Sequence, residues 1–589
     1  MRSRRLLESL IVASLVALVC GADVRTGGDA SLRSSLLPPQ GIRDKVTASD
    51  LHSGHFPEVV HNDYFMPVGR STAAAYSLSG VIHFFEAEMT TARPDSDWGG
   101  TGQRCFPAFS LPVVRYGDHL LPLERGIVYS GGKGRSFWNI IASPGRVWQE
   151  ASDGGWSRAS FPFVLTDNYV GQALNGLATF LFTSSGISSV AVQITQETSP
   201  KVDYTRADFS AAVPAQFEPR EFEHAGLAIA EYDREIAARP PIKPWAEMPM
   251  AAFTRSFFSA DLPAESVSMA ALFLNGVLHV QPAETRAGLY PYPLEMRHGV
   301  YSVTKTLVMG LSMFYFAGRY GESIFDERIT DYVPELSGHE GWRGVTFANA
   351  LGMATGTQGN DRDINFIRAR SAGDKLAVVL GMPDAPSAPG EFFNYSSSNT
   401  FTLSCALNRY VKTKEGPNAD YWLLVRENVL RPLGSEHLAV VRTLEPGGTL
   451  GTPVGGWGSY PTVVEAAQVG LLLSNEGAYE GRRLLNGNKV KEALERMSRR
   501  GLPTGQPGTR YLHSIWTSDV SLSTGLVTAP YMSGFGGNLV VMLPGRIVAL
   551  LFADECDPQI APMIAVAAYY RREQDRLDRE RDEKRTILR

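Results

Sequence analysis

The chain has 589 residues, of which 44% are hydrophobic, 20% charged and 10% aromatic. This length exceeds one ordinary domain and predicts a globular protein of two or three domains. The formal net charge is −5, and without the basic patch or stripe that nucleic acids require, no nucleic-acid partner is expected.

Residues 1–22 have the pattern of a secretory signal peptide. Three arginines precede a short apolar run at 10–19, and small residues follow at 21–22. The run is too short for a comfortable membrane span. We therefore expect a cleaved signal peptide and a periplasmic or secreted protein. The alternatives are an uncleaved N-terminal membrane anchor or a lipid attached to Cys20.

Three cysteines remain after such a cleavage, at Cys105, Cys405 and Cys556. They are far apart and odd in number, and they do not have the spacing of a metal site. Buried free thiols are therefore expected rather than a disulfide framework. The sequence implies neither a metal nor an organic cofactor.

Residues 23–75 are rich in Gly, Ser and Pro and predict an irregular linker, whereas 76–240 predict a β-rich N-terminal module. Short β-prone runs, at 81–85, 126–129 and 189–194, alternate there with Gly and Asp turns, as in an all-β module. Four tryptophans of this module fit either a binding face or, more commonly, a hydrophobic core: Trp98, Trp138, Trp148 and Trp156.

A Pro-rich stretch at 239–244 leads into a second region, 241–589. It contains a predicted hairpin at 269–280 with an Asn-Gly turn and another at 539–552. Helical stretches lie between them, and a helix with a charged end closes the chain from about 558.

Ser302 and Lys305 open a very apolar stretch that continues to Phe316. A helix that is apolar nearly all round is a buried helix, and residues three apart share a face of its first turn. A serine hydroxyl needs a base to become a nucleophile. A lysine at the mouth of a buried helix is partly desolvated, which favours the neutral amine that can act as this base.

The spacing Ser-x-x-Lys alone is a weak signal, because the chain repeats it at Ser130 and Lys133. That second match lies in a Gly-rich turn between predicted strands, where no helix follows to bury the lysine. We therefore interpret it as a chance match.

Two further elements accompany the pair. The loop 389–399 places Tyr395 among hydroxyl and amide groups before a helix, and a phenol near an ammonium can relay a proton. The glycines of 533–538 let a substrate lie against a strand edge and expose backbone N–H groups. A helix cap and a β-bulge are the structural alternatives.

These motifs, in this order, resemble the serine β-lactamase-like, penicillin-binding family. It includes class C β-lactamases, D-alanyl-D-alanine carboxypeptidases, family VIII-type esterases and 6-aminohexanoate-oligomer hydrolases. Connecting segments at 319–336, 346–356 and 455–473 are similar too. The resemblance covers roughly 245–575 and implies an α+β fold, in which helices flank an antiparallel sheet and form a helical subdomain. It does not cover the N-terminal module.

The resemblance implies that Ser302 is the acylated nucleophile and Lys305 its base. Tyr395 would assist proton transfer to and from the leaving group. The backbone N–H groups of Ser302 and Phe535 would form the oxyanion hole. The substrate contacts implied are Ser397, Asn399, Gly534 and Gly536.

The chain departs from the family at two places. Ser397 stands where Asn is usual, and Met532-Ser533-Gly534 stands where the family has Lys-Thr-Gly or His-x-Gly. In penicillin-recognising members that cation helps to bind a substrate carboxylate. Its absence favours esterase or amidase activity over efficient β-lactam hydrolysis. The expected partner is therefore a small ester or amide, with a cell-envelope component as one candidate.

Other functions stay open on the sequence alone. The same site could serve a D-amino-acid peptidase or a weak β-lactamase. A Ser-His-Asp hydrolase is disfavoured because no Gly-x-Ser-x-Gly elbow is present, and His298 is interpreted as structural. A catalytically inactive envelope-binding protein of the same fold is the non-enzymatic alternative. The insertions 355–390 and 498–530 are expected to shape the pocket.

Overall fold

The computed structural model describes residues 36–587, with gaps in that range. The gaps are 92–101, 131–133, 168, 170, 199–208, 249–257, 259–261, 263–265, 361–362, 385–386, 496–499, 523–524, 544, 555 and 557–559. The predicted signal peptide, Trp98 and Lys133 lie outside the described residues. Within them, strands and helices mix as the sequence predicts, so the α+β fold class is confirmed.

The strands are numbered in chain order. They are β1 (Ser71–Thr72), β2 (Ser79–Phe84), β3 (Ala87–Glu88), β4 (Thr90–Thr91), β5 (Cys105–Phe106), β6 (Phe109–Tyr116), β7 (His119–Pro122), β8 (Asn139–Ala142), β9 (Gly145–Glu150), β10 (Ser157–Thr166), β11 (Ala173–Phe182), β12 (Val190–Thr198), β13 (Phe209–Val213), β14 (Ala215–Pro219), β15 (Ile242–Pro244) and β16 (Val267–Leu274). They continue with β17 (Val277–Val280), β18 (Glu284–Thr285), β19 (Gly288–Leu289), β20 (Ala439–Val440), β21 (Arg442–Leu444), β22 (Leu450–Pro453), β23 (Ser459–Tyr460), β24 (Ala478–Tyr479), β25 (Arg482–Arg483), β26 (Leu502–Pro503), β27 (Thr509–Leu512), β28 (Ile515–Leu522), β29 (Gly525–Gly534), β30 (Asn538–Leu543) and β31 (Ile547–Ala553).

The α-helices are numbered in the same way. They are α1 (Ala48–Ser53), α2 (Ala225–Ala238), α3 (Leu311–Tyr320), α4 (Ile329–Tyr332), α5 (Phe347–Leu351), α6 (Ile364–Arg368), α7 (Ala372–Leu380), α8 (Ser397–Glu415), α9 (Tyr421–Val425), α10 (Val463–Ser474), α11 (Gly487–Ala493) and α12 (Ile560–Ile587). Among the described residues, none of these helices combines the length and apolar character that a membrane crossing needs.

The N-terminal strands form a barrel. Its twelve-stranded antiparallel sheet follows the path β14-β2-β6-β7-β9-β10-β11-β12-β13-β4, with β1 and β8 paired beside it. Pro214 alone separates β13 from β14, although β14 begins this path and β13 lies next to its other end, before β4. Because a single residue joins strands near the two ends of the path, the sheet curls back on itself, and the name barrel refers here to this curled sheet.

Side chains fill the barrel. Its interior is lined by phenylalanines and by Trp138, and Phe84 stacks on Phe109 at 4.4 Å between ring centroids. Trp138 and Trp148 are both buried, as a core role predicts. Of the three β-prone runs, those at 81–85 and 189–194 fall largely on strands β2 and β12. The prediction for 126–129 was wrong, since only Val128 there makes an isolated bridge, to Ile140.

The C-terminal region is built on a nine-stranded sheet with the order β15-β17-β16-β31-β30-β29-β28-β27-β26. All neighbours are antiparallel except β15 and β17. Both predicted hairpins are confirmed: Asn275 and Gly276 have φ of 53° and 81° in the β16–β17 turn, and β30 pairs with β31.

Helices cover both faces of this sheet. Met563 and Ile564 of α12 pack with Val541 and Ala549 on one face. On the other face α10 lies so close that a Cβ at Gly470 would be 2.8 Å from Val548. The helical part, from α4 to α9, is inserted between the strands at the two ends of the region.

The barrel and the C-terminal region share one hydrophobic core. Every residue of β10 and β11 is buried, on both faces. Val164 and Leu177 point away from the barrel interior and join the same buried cluster as Phe273 and Leu307. Among the described residues, Cys105 and Cys405 are buried free thiols, and the Cys556 thiol donates to the Gly536 carbonyl oxygen at 3.6 Å.

Candidate active site

Ser302 lies in a 3₁₀ turn, Tyr301–Val303, at the mouth of the buried stretch. The chain continues as a π-helical turn, Lys305–Gly310, and only then as helix α3. The prediction of a simple α-helix from Ser302 is therefore corrected, although the burial of this stretch is confirmed. Wide π turns are frequent at functional sites because they displace side chains from the regular helical pattern.

Tyr301 has a positive φ of 44° immediately before Ser302. A bulky residue in this left-handed region is strained and persists only where its surroundings hold it. The Tyr301 side chain is buried and packs edge-on against Phe535, with ring centroids 5.5 Å apart. The strained turn thus presents the partly exposed Ser302 side chain at the surface of the core.

Lys305 is 1% exposed, and its ammonium group contacts three oxygen acceptors. Nζ donates to Ser302 Oγ at 2.9 Å, to Ser397 Oγ at 2.8 Å and to the Gly456 carbonyl oxygen at 3.1 Å. Each of these oxygens can accept a hydrogen bond from a lysine N–H group. The structure therefore brings Ser302, Lys305 and Ser397 together, as the sequence predicts.

Ser397 reaches this position because it is the first residue of helix α8. The preceding Ser396 caps the helix by accepting a hydrogen bond from the Ser398 N–H at 3.3 Å. The helix axis then begins at the site, so its positive end favours negative charge there.

Tyr395 contributes its ring to the site. Lys305 Nζ lies 4.5 Å from the centroid of the Tyr395 ring, a distance typical of a cation–π contact. The loop before Tyr395 is fixed by neighbouring backbone: Asn394 N donates to Met353 O at 2.7 Å, and Asn394 Nδ2 donates to Thr357 O at 2.6 Å. Tyr395 therefore sits beside the lysine in a well-anchored loop.

The Gly456 carbonyl is a site component that sequence reasoning missed. A Cβ at Gly456 would lie 2.7 Å from the Ser397 Cβ, and one at Gly455 would lie 3.0 Å from the Met309 sulfur. The pair of glycines therefore lets this loop approach Lys305 closely. The glycine pair is visible in the sequence, but by itself it indicates only the lead-in to a helix.

The end of β29 lies beside Ser302. The β28 ladder stops at Trp516–Tyr531, whereas the β30 ladder continues to Gly534–Asn538. The last residues of β29 are thus paired on one side within the described ladders. A Cβ at Gly534 would be 2.1 Å from the Val300 carbonyl oxygen, so glycine is required where the strand meets the serine turn.

Phe535 lies in the turn between β29 and β30, and 49% of it is exposed. Asn538 holds this turn by donating from Nδ2 to the Phe535 carbonyl oxygen at 2.7 Å. Gly536 is buried in the same turn with φ of 84°. Its conformation shapes the turn that carries the Phe535 N–H.

Asn399 is not brought to the Ser302–Lys305 pair. It is fully buried, and its side chain accepts a hydrogen bond from Thr355 Oγ1 at 3.2 Å and donates to the Asn394 carbonyl at 3.3 Å. It therefore anchors the loop of Tyr395. His298 is also fully buried, against the Phe552 ring, and burial lowers its pKa to about 3. This buried, apolar environment agrees with the structural role that the sequence predicts for His298.

Aromatic side chains border the site beyond Tyr395. Trp516 lies 5.4 Å from the Tyr395 ring and 4.9 Å from Tyr511, and Phe393 lies 5.8 Å from Trp516, between ring centroids. Tyr511 and Trp516 belong to the insertion 498–530, which was expected to shape the pocket.

Comparison with protein-family models and with curated proteins finds no match to this sequence. Several solved structures are similar to it. A family VIII carboxylesterase is 17% identical, with 58% of this chain and 97% of that chain covered and a TM-score of 0.41. A D-stereospecific amidohydrolase from Streptomyces sp. is 15% identical, with 54% and 98% covered and a TM-score of 0.40. A penicillin-binding protein homolog from Caulobacter crescentus is 19% identical, with 54% and 97% covered and a TM-score of 0.40.

Proposed function

We propose that this chain is an exported serine hydrolase that cleaves small esters or amides through an acyl-enzyme. The contact that carries the proposal is the 2.9 Å hydrogen bond between Lys305 Nζ and Ser302 Oγ. The hydrogen bonds from Lys305 Nζ to Ser397 Oγ and to the Gly456 carbonyl oxygen hold the amine in place beside Ser302. Export rests on the N-terminal sequence pattern alone.

These hydrogen bonds would orient the lone pair of a neutral Lys305 amine towards Ser302 Oγ. A neutral amine keeps two N–H groups and one lone pair. If the two N–H groups donate to Ser397 Oγ and the Gly456 carbonyl, the lone pair is left facing Ser302 Oγ. Lys305 can then accept the hydroxyl proton as general base.

The reaction follows in balanced steps. Ser302 Oγ bonds to the substrate carbonyl carbon while its proton passes to Lys305 Nζ. The carbonyl oxygen becomes an oxyanion that the N–H groups of Ser302 and Phe535 would stabilise. Collapse breaks the bond to the leaving alcohol or amine, which takes a proton relayed from Lys305 through the Tyr395 hydroxyl. Water then attacks the acyl carbon while its proton passes to Lys305 Nζ, and the bond to Ser302 Oγ breaks as Oγ takes that proton back, which releases the acid and free Ser302.

The triplet Met532-Ser533-Gly534 supports a substrate without a carboxylate. Met532 is fully buried in the core and carries no charge. This favours neutral esters and amides over β-lactams. The assay panel should therefore combine short-chain p-nitrophenyl esters with nitrocefin and D-amino-acid amides.

A fluorophosphonate probe tests the nucleophile directly. We expect the full-length protein to form an adduct that peptide mapping assigns to Ser302, and Ser302→Ala to form none. Lys305→Ala should slow labelling by about 100-fold or more, the contribution typical of a general base. Ser130→Ala is the matched control from the second Ser-x-x-Lys match and should label at the wild-type rate.

Two outcomes would oppose the proposal. An unlabelled Ser302 in folded wild-type protein would favour the inactive envelope-binding alternative. Wild-type labelling of Lys305→Ala would remove the lysine from the mechanism. Tyr395→Phe removes the hydroxyl group but keeps the aromatic ring beside Lys305. A reduced kcat in this variant would support a proton relay through the hydroxyl.

A further inference from the structure

The outer face of the barrel touches the backbone that leads to Ser302. Asn175 of β11 is 1% exposed. Its Oδ1 accepts a hydrogen bond from Arg297 N at 3.3 Å, and its Nδ2 donates to the Arg297 carbonyl oxygen at 2.8 Å. The side-chain amide thus pairs with both backbone groups of one residue, as a neighbouring strand would.

A β-bulge lies where Asn175 makes this contact. The β11–β12 register shifts between Asn175 and Gly176, because Thr195 is an extra residue on β12. Bulges re-aim side chains and increase local twist. The irregularity in the barrel therefore coincides with its contact to the segment before Ser302.

Arg297 extends the contact to the loop on the other side of Lys305. Its Nη1 donates to the Tyr460 carbonyl at 2.8 Å and to Glu465 Oε2 at 3.1 Å. Tyr460 follows closely after Gly456, whose carbonyl accepts from Lys305. One arginine, held by the barrel, thus connects the serine turn with the glycine loop.

A second part of the barrel touches the glycine loop itself. Gly171, with φ of 86°, packs so closely that a Cβ there would be 3.2 Å from Gly458 N and 3.3 Å from Gly458 Cα. The Asp167 carboxylate fixes this approach by accepting from the Gly171 N–H at 3.1 Å. The barrel therefore supports both backbone segments that converge on Lys305.

We propose that the barrel is a positioning element of the Ser302 site, with Asn175 as its principal positioning residue. This inference rests on the proposed function. Tyr301 is held in a strained conformation, and such a conformation persists only where the surrounding structure holds it. The barrel contact at Arg297 fixes the side that precedes it.

Replacing Asn175 tests the role, and Gln193 provides a matched control. Gln193, on β12, is also fully buried and pairs its amide with both backbone groups of one residue, Val60, at 3.0 Å each. That residue belongs to the N-terminal segment and not to the site. Asn175→Leu and Gln193→Met therefore remove the same kind of bond at different distances from Ser302.

We expect Asn175→Leu to lower both kcat for p-nitrophenyl acetate and the rate of fluorophosphonate labelling at least tenfold, with KM within twofold. Gln193→Met should retain the wild-type kcat, even if both variants lose melting temperature. Asn175→Asp keeps the acceptor for Arg297 N and should recover part of the rate. Gly171→Ala gives an independent test, if Asn175→Leu does not fold, and should also lower kcat.

Three results would overturn the inference. They are a wild-type labelling rate in folded Asn175→Leu, an equal loss in Gln193→Met, and a wild-type kcat in Gly171→Ala. These outcomes are distinct from failure of the proposed function, in which wild-type Ser302 would not label at all.

Discussion

Lys375 of helix α7 is a buried lysine outside the proposed chemistry. Its ammonium donates to the Phe366 carbonyl at 2.7 Å and lies 4.7 Å from the Phe366 ring and 5.0 Å from the Trp457 ring, measured to the centroids. Burial lowers the pKa of Lys375 to about 8. The folded protein therefore loses this proton at a lower pH than the unfolded chain does.

This shift predicts that Lys375 makes stability rise with pH. Between pH 8 and about 10.4, the unfolded chain binds the lysine proton and the folded protein does not, so the free energy of unfolding increases. The full effect is roughly 3 kcal/mol. We expect the urea midpoint of wild type to rise relative to that of Lys375→Met across this range. A constant difference between the two proteins would contradict the prediction.

At this scale, sequence reasoning succeeded where contacts are local. Ser302 and Lys305 lie within one turn of four residues, so the spacing that brings them into contact could be recognised in the sequence. Gly456 lies 151 residues from Lys305, and Asn175 lies 122 residues from Arg297. Contacts of this kind arise from packing between elements, which leaves no local pattern in a single sequence.

Among the elements, the junction between β29 and the serine turn is the tightest at the site. We expect Gly534→Ala to abolish Ser302 labelling or to reduce it by at least 100-fold, because the added Cβ would meet the Val300 carbonyl oxygen at 2.1 Å. Because this oxygen is part of the backbone, it can move away only if the adjacent residues Tyr301 and Ser302 move too. Stability should fall by about 1–3 kcal/mol, as overpacking typically causes.

Gly338→Ala is the control for this change, since a Cβ there has no neighbour within 4 Å. Both its labelling rate and its melting temperature should stay near those of wild type. Wild-type labelling in Gly534→Ala would mean that the strand end can move away without disturbing Ser302.

Element types were predictable where sequence period and turn residues agreed. The β16–β17 hairpin has β-prone runs on both sides of an Asn-Gly turn, and it was predicted correctly. The 3₁₀ and π turns at 301–310 were not predicted, because all these residues are compatible with an ordinary α-helix. Their geometry is imposed by the contacts of Tyr301 and Lys305 with other elements.

At the scale of the whole molecule, the barrel, the connecting helix α2 and the C-terminal region meet in a buried charge network. Arg125, after β7, donates to Glu235 of α2 at 2.6 Å. Arg239 donates to Glu235 at 2.7 Å and to Glu295 at 2.6 Å. The contact of Arg125 with Glu235 joins residues 110 positions apart, so it was not predictable from local sequence.

Glu235 makes the molecule sensitive to acid. Burial alone would raise the pKa of this carboxyl, but the charges and hydrogen bonds of Arg125 and Arg239 outweigh it and lower the pKa to about 2. The folded pKa is thus below the unfolded value of about 4.3. The stabilisation is present above that value and is lost as the pH falls towards 2.

Glu235→Gln tests this linkage. At pH 7 we expect a loss of about 3–5 kcal/mol, because the substitution leaves Arg125 and Arg239 buried without their shared carboxylate. Between pH 5 and pH 3.5 the difference from wild type should narrow by about 1 kcal/mol, since wild type progressively loses the contribution of Glu235 over this range. Urea unfolding across these pH values measures both effects.

Glu427→Gln, which removes an exposed i,i+4 partner of Arg431, should change stability by less than about 1 kcal/mol throughout. A difference between wild type and Glu235→Gln that stays constant from pH 5 to pH 3.5 would show that Glu235 titrates alike in the folded and unfolded chain.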